Sequence, residues 1–142
     1  YLDPELKDAS VQVTTDLPNE EVSVQSDYKL LQQVVVNLLS NAIHAIRENK
    51  DGSGRLHIVL EEERSGGHIR ITDNGPGIPE SVQQRIFELF YTTKPEGKGT
   101  GLGLPICRRI MKRLGGMLWF ESQAGTGTTF HLSLPKQRPS QA

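Results

Sequence analysis

Asn37 and Asn41 stand four residues apart in the run Leu30-Leu-Gln-Gln-Val-Val-Val-Asn37-Leu-Leu-Ser-Asn41-Ala-Ile. Two glycine clusters follow, Asp73-Asn-Gly75-Pro-Gly77 and then Gly97-Lys-Gly99-Thr-Gly101-Leu-Gly103. The first cluster sets a carboxylate beside a backbone bare of side chains. A flat ligand can approach such a wall, and Asp73 can accept a hydrogen bond from an exocyclic amine. The second cluster offers backbone N–H groups that can wrap phosphates. The paired Asn side chains offer neutral, hard oxygens that suit Mg²⁺. Together these residues describe a purine nucleotide site with a metal.

The local patterns place these motifs on elements. Residues 11–15 alternate apolar and polar, as a half-buried strand does, and Val22 and Val24 suggest a second short strand. Ser26 or Asp27 can cap a helix running to about Asn49. Leu31, Val34, Val35, Leu38, Ala42 and Ala45 form its apolar face, while Gln33, Asn37, Asn41, His44 and Glu48 share another. Residues 55–63 and 68–73 read as strands joined by a hairpin turn at Ser65-Gly-Gly67. Asp73 then ends a strand. Pro79 can start a short helix over 80–87. Residues 88–102 read as a long loop, which inside a compact domain is usually functional or mobile. A helix over 102–114 ends at Gly115-Gly116, and strands over 117–122 and 128–134 follow. Residues 1–135 read as one domain and 136–142 as an unstructured tail.

Each motif has a plainer reading. Asn37 and Asn41 are also what an exposed helix face carries, and Asn-Gly-Pro-Gly is turn chemistry. The glycine loop could be a linker, although linkers do not usually run straight into an amphipathic helix. A loop at a helix N-terminus is an anion site, since free amides and the dipole favour negative charge. Gly99, Thr100, Gly101, Leu102 and Gly103 are therefore candidate phosphate contacts. A P-loop is excluded, because Gly97-Lys98 is followed by Gly99 rather than Ser or Thr. A dinucleotide fingerprint is excluded because no strand immediately precedes the glycines. Lys94 and Lys98 are either solvated loop charges or contacts to the β- or γ-phosphate, with Lys98 the candidate catalytic cation beside Asn41. Ile78 extends the wall of an adenine-sized slot. Gly125-Thr-Gly127-Thr128 either is a turn or closes that slot, with the Thr128 hydroxyl near the base. Cys107 and Trp119 read as packing.

Bulk composition narrows the function classes. The 142 residues suit one domain with a core, and 35% hydrophobic against 23% charged content suits a folded chain. A net charge of −1 gives no reason to expect nucleic acid or an anionic membrane as partner. No apolar run nears the roughly 18–20 residues that span a bilayer. Cys107 is the only cysteine, and His44, His57, His68 and His131 lack metal-ligand spacing with it. The chain opens at Tyr1 without Met and reads as a piece of a longer protein.

These motifs resemble the ATP-binding catalytic domain of sensor histidine kinases, in the wider gyrase, chaperone, kinase and mismatch-repair ATPase superfamily. Asn37-Leu-Leu-Ser-Asn41-Ala looks like the N box and Asp73-x-Gly75-x-Gly77 like the first glycine box. Ile86-Phe87-Glu-Leu-Phe90 looks like the F box. Gly99-Thr-Gly101-Leu-Gly103-Leu looks like the second glycine box, and Gly125-x-Gly127-Thr128-x-Phe130 like the last. The run from Tyr91 to Gly101 is most similar to nitrogen-regulation-type kinases. The resemblance implies a two-layer α/β sandwich, a mixed and mostly antiparallel sheet with three helices on one face. It implies ATP and Mg²⁺ as cofactors, with Asn41 on the metal and residues 88–102 as a lid. It implies a cytoplasmic domain of a parent whose membrane anchoring stays open. The partners would be a dimerisation domain of that parent, carrying the acceptor histidine, and indirectly a response regulator. Many family members have Lys three residues after the metal Asn; here it is His44, a candidate for the same contact. The superfamily's ATP-hydrolysing machines carry Glu four residues before the metal Asn, as a base for water. Here that residue is Asn37, which favours the kinase over the ATPase. A non-catalytic nucleotide sensor is the other rival.

Overall fold

In a computed structural model of the chain, residues 11–19, 24, 26–49, 52–88 and 103–136 are described. They form five strands and three helices in the order β1 (Gln12–Asp16), α1 (Tyr28–Arg47), β2 (Arg55–Glu63), β3 (Gly66–Asp73), α2 (Glu80–Gln83), α3 (Gly103–Arg113), β4 (Met117–Gln123) and β5 (Gly127–Pro135). The sheet order is β1-β2-β3-β5-β4. Only β1 and β2 run parallel; the other three pairings are antiparallel. This is the mixed, mostly antiparallel sheet that the resemblance implies.

The helices cover one face because the apolar periods of the two layers meet there. Val34, Leu38, Ala42 and Ile46 of α1 share a core with Cys107, Ile110 and Met111 of α3 and with Leu56, Ile71, Phe130, Leu132 and Leu134 of the sheet. The buried side of α1 differs from the expected one at its edges. Ile43 and Ile46 are buried, whereas Leu31, Val35 and Ala45 are half-buried, so the stripe is rotated toward the C-terminal isoleucines. Asp27 is the cap: the Leu30 amide donates to its Oδ1 at 3.1 Å. Asp27→Ala should lower stability by about 1 kcal/mol. A urea titration should show a lower midpoint at unchanged slope.

Four expectations are adjusted. β1 pairs as a strand, but all five of its residues are exposed, with Val13 at 39%, because it lies at the sheet edge. The hairpin turn is Arg64-Ser65, and Gly66 and Gly67 belong to β3 opposite Glu63 and Glu62. A side chain at Gly66 would collide with the Leu134 carbonyl of β5, so glycine is needed inside this strand. α2 stops at Gln83, because the bonds that follow, Arg85 N–H to Val82 O and Glu88 N–H to Arg85 O, close three-residue turns. Lys136 is not loose tail, since its amide donates to Ser65 O at 3.0 Å. The expected strand at Val22–Val24 and the lid at 88–102 lie, but for Val24 and Glu88, outside the described residues, as does the tail beyond Lys136.

Candidate nucleotide site

Asp73 closes β3 on the helix-covered face, paired with Leu56 on one side and Thr128 on the other. Thr128 pairs in turn with Ser122. One row therefore carries Asp73, Thr128 and Ser122 across three strands at one end of the sheet. Asp73 is only 5% exposed. Its Oδ1 accepts from the Gly75 amide at 2.9 Å. Burial is the larger influence and pushes its carboxyl up to about 6, while the Gly75 and Thr128 amides pull it partly back. A buried carboxylate with lone pairs to spare at a strand end is chemically fitted to a ligand's N–H edge.

The glycines after Asp73 earn their place by contacts within the protein. A Cβ on Gly75 would sit 2.8 Å from the Ala45 Cβ, so α1 fills the space that a side chain would take. A Cβ on Gly77 would sit 2.3 Å from the Gln123 carbonyl, and its φ of +76° disfavours other residues. The loop is thus pressed onto α1 on one side and onto the β4–β5 turn on the other. The Gly125 amide adds a bond to Pro76 O at 2.7 Å. Asn49 completes the frame, its Nδ2 donating to Ser53 O and Asn74 O.

Ile78 follows directly and is held by residues that sequence reasoning missed. Its amide donates to Ser122 Oγ at 2.7 Å, and its carbonyl accepts from Gln83 Nε2 at 2.9 Å. Ser122 and Gln83 gave no signal, because single polar residues in a strand and a short helix look like surface. Beyond Ile78, Phe87 packs on Phe120 at 6.0 Å, with the Arg108 guanidinium 4.7 Å above its ring. Ile86 is buried in the core.

Asn37, Asn41 and His44 lie on α1 and are half-buried. Asn37 Nδ2 donates to Cys107 Sγ at 3.6 Å, tying α1 to α3. Cys107 is buried, and burial pushes its thiol up, so it serves packing as expected. Gly103 opens α3, and no described residue comes within 4 Å of where its Cβ would lie. Lys94, Lys98, Gly99, Thr100, Gly101 and Leu102 lie outside the described residues. Among the described residues no three His, Cys, Asp or Glu cluster to cage a metal. A metal held by one Asn oxygen and ligand phosphates needs no such cage, and Asn41 on α1 carries an oxygen of that kind.

The face of the sheet away from the helices carries a second polar group. His68 Nε2 and His131 Nδ1 lie 3.0 Å apart, with Glu63 on His68 and Glu121 on His131. Trp119 lies parallel to His131 at 4.9 Å. Trp119 thus packs on the sheet face away from the helices.

Comparison with known proteins agrees with this arrangement. Residues 26–138 match the family described as "Histidine kinase-, DNA gyrase B-, and HSP90-like ATPase". The chain is 37% identical over 135 residues to the adaptive-response sensory kinase SasA of Crocosphaera subtropica, covering 94% of this chain and 35% of that protein. It spans about a third of the length of the SasA proteins that it matches. The solved catalytic domain of histidine kinase ThkA superposes with a TM-score of 0.83 at 33% identity, covering 96% of this chain and 86% of that one. ThkA solved in complex with the response regulator protein TrrA gives 0.77 at 30% identity, covering 95% and 37%. The chain therefore belongs to the histidine kinase-, DNA gyrase B- and HSP90-like ATPase family and is a homologue of histidine kinase catalytic domains.

Proposed function

We propose that this chain binds ATP with Mg²⁺ and supplies the γ-phosphate to a histidine on a separate dimerisation domain of the same parent. The observation that carries this reading is Asp73, a buried carboxylate at a strand end whose neighbours Gly75, Gly77 and Ile78 are locked in place. Asp73 would accept from the adenine amine. Asn41 would give Mg²⁺ a neutral oxygen, and the bound metal would neutralise phosphate charge. Lys94 and Lys98, with Gly99, Thr100, Gly101, Leu102 and Gly103, keep the phosphate-contact role that their sequence suggests, with His44 on the neighbouring helix face. Phosphoryl transfer asks a protein mainly for positioning and charge compensation.

Asn37 supports the kinase over an ATP-hydrolysing machine. An amide cannot take a proton from water, and this one already donates to Cys107. The ThkA–TrrA complex supports a response regulator as the downstream partner. No helix among the described residues is long and apolar enough to cross a membrane, and a cytoplasmic site of action fits a domain that uses ATP.

The test uses labelled ATP and Mg²⁺. The isolated chain should bind nucleotide yet show neither self-labelling nor appreciable hydrolysis. Adding a separately made dimerisation domain should give label on that partner alone. Rapid hydrolysis by the chain would revive the ATPase reading, and label on His44 would show the acceptor misplaced.

A further inference from the structure

We propose that Ser122 is a specificity-determining residue: it fixes the Thr128 hydroxyl as a hydrogen-bond acceptor, so that Thr128 and Asp73 together select a purine presenting an amine over one presenting a carbonyl. The proposal rests on the adenine-site reading above and deepens it.

Among the described residues, Ser122 Oγ has three polar neighbours. The Ile78 amide donates to it at 2.7 Å. The Gly127 carbonyl, 3.1 Å away, can only accept, so it takes the single Ser122 hydrogen. The Thr128 hydroxyl lies 2.8 Å from Ser122 Oγ. With the Ser122 hydrogen spent on Gly127, the hydrogen in that contact belongs to Thr128. The reverse polarity would leave Ser122 Oγ and Gly127 O facing each other with lone pairs only. Thr128 Oγ1 therefore has its hydrogen committed and only acceptor capacity left.

Register makes this matter. Thr128 stands directly opposite Asp73 on the same sheet face. Two acceptors stand side by side at the sheet end. An amine edge satisfies both, whereas a carbonyl edge meets lone pairs and leaves buried polar groups unpaired. The arrangement is stiff, because Gln83 holds the Ile78 carbonyl while Ser122 holds its amide. Ser122 needs no contact with the ligand; it acts through Thr128.

The test compares ATP and GTP affinities by calorimetry in wild type and Ser122→Ala. Alanine frees the Thr128 hydroxyl to rotate and donate to the guanine carbonyl. The preference for ATP should shrink about fivefold or more, mainly through tighter GTP binding. Ser122→Thr, which keeps a hydroxyl, should retain the wild-type ratio. Without nucleotide, Ser122→Ala should speed exchange of the Ile78 amide. If Ser122→Ala fails to fold, Ser122→Cys keeps the shape with a weakly accepting thiol and should narrow the ratio likewise. Equal wild-type affinities for ATP and GTP would overturn the adenine reading itself. A wild-type preference carried unchanged into the folded variant, or an unaltered Ile78 exchange rate, would overturn only the role given to Ser122.

Discussion

Asn41→Ala is expected to remove Mg²⁺-supported phosphotransfer while leaving the fold intact. Alanine is the best helix former, and Asn41 lies within the twenty-residue helix α1, half-buried rather than in the core. The substitution therefore costs the helix little. The proposed site, by contrast, has no second protein oxygen assigned to the metal. Removing one preorganised charge-stabilising group typically slows a reaction by roughly a hundredfold or more. Transfer of labelled phosphate to the dimerisation domain, measured beside a urea titration, separates the two effects. A variant that transferred like wild type would remove Asn41 from the metal.

The second large effect concerns Asp73, whose removal should make the protein sturdier and less useful together. Its carboxyl is raised from 3.8 to about 6 in the folded chain. Between those values the folded state binds more protons than the unfolded state. Stability therefore rises as pH falls from about 6 toward 4, and above pH 6 the buried charge is a standing cost. That cost is about 3 kcal/mol. Asp73→Asn deletes the charge while keeping an oxygen for the Gly75 amide, so at pH 7.5 it should stabilise the fold by up to about 3 kcal/mol. The pH dependence between 4 and 6 should flatten in step. Nucleotide binding should suffer, because one carboxylate acceptor becomes an amide donor facing the adenine amine. ATP affinity should fall by about tenfold or more. Chemical denaturation across pH and carboxyl titration by NMR check the first half, and calorimetry the second. An Asp73 carboxyl titrating near 4 would refute the account.

The periods of α1, α3, β2 and β5 could be read directly, because each is long and repeats its own apolar spacing. The motifs carried the family for a related reason: Asn37, Asn41, Asp73 and the glycines are rare chemistry at short spacings. What escaped reading depends on contacts between distant residues. Nothing near Gly75 announces that Ala45 fills its missing side chain. Ser122 gains its meaning from Ile78 and Thr128, which reach it only after β4, β5 and the Asp73 loop assemble. His68 and His131 are 63 residues apart and meet only through the pairing of β3 with β5. β1 misled for the opposite reason: its alternation is local, but a sheet edge leaves it exposed whatever its pattern.

Trp119 is the only tryptophan in the chain, and its indole lies parallel to His131 with an interplanar angle of 1°. It faces away from the helices, three residues along β4 from Ser122. The molecule thus carries a built-in optical reporter at one position on the sheet face away from the helices. Its indole stacks on two imidazoles, His131 and His68, so the loss of that stack on unfolding can be followed by its emission without an attached dye.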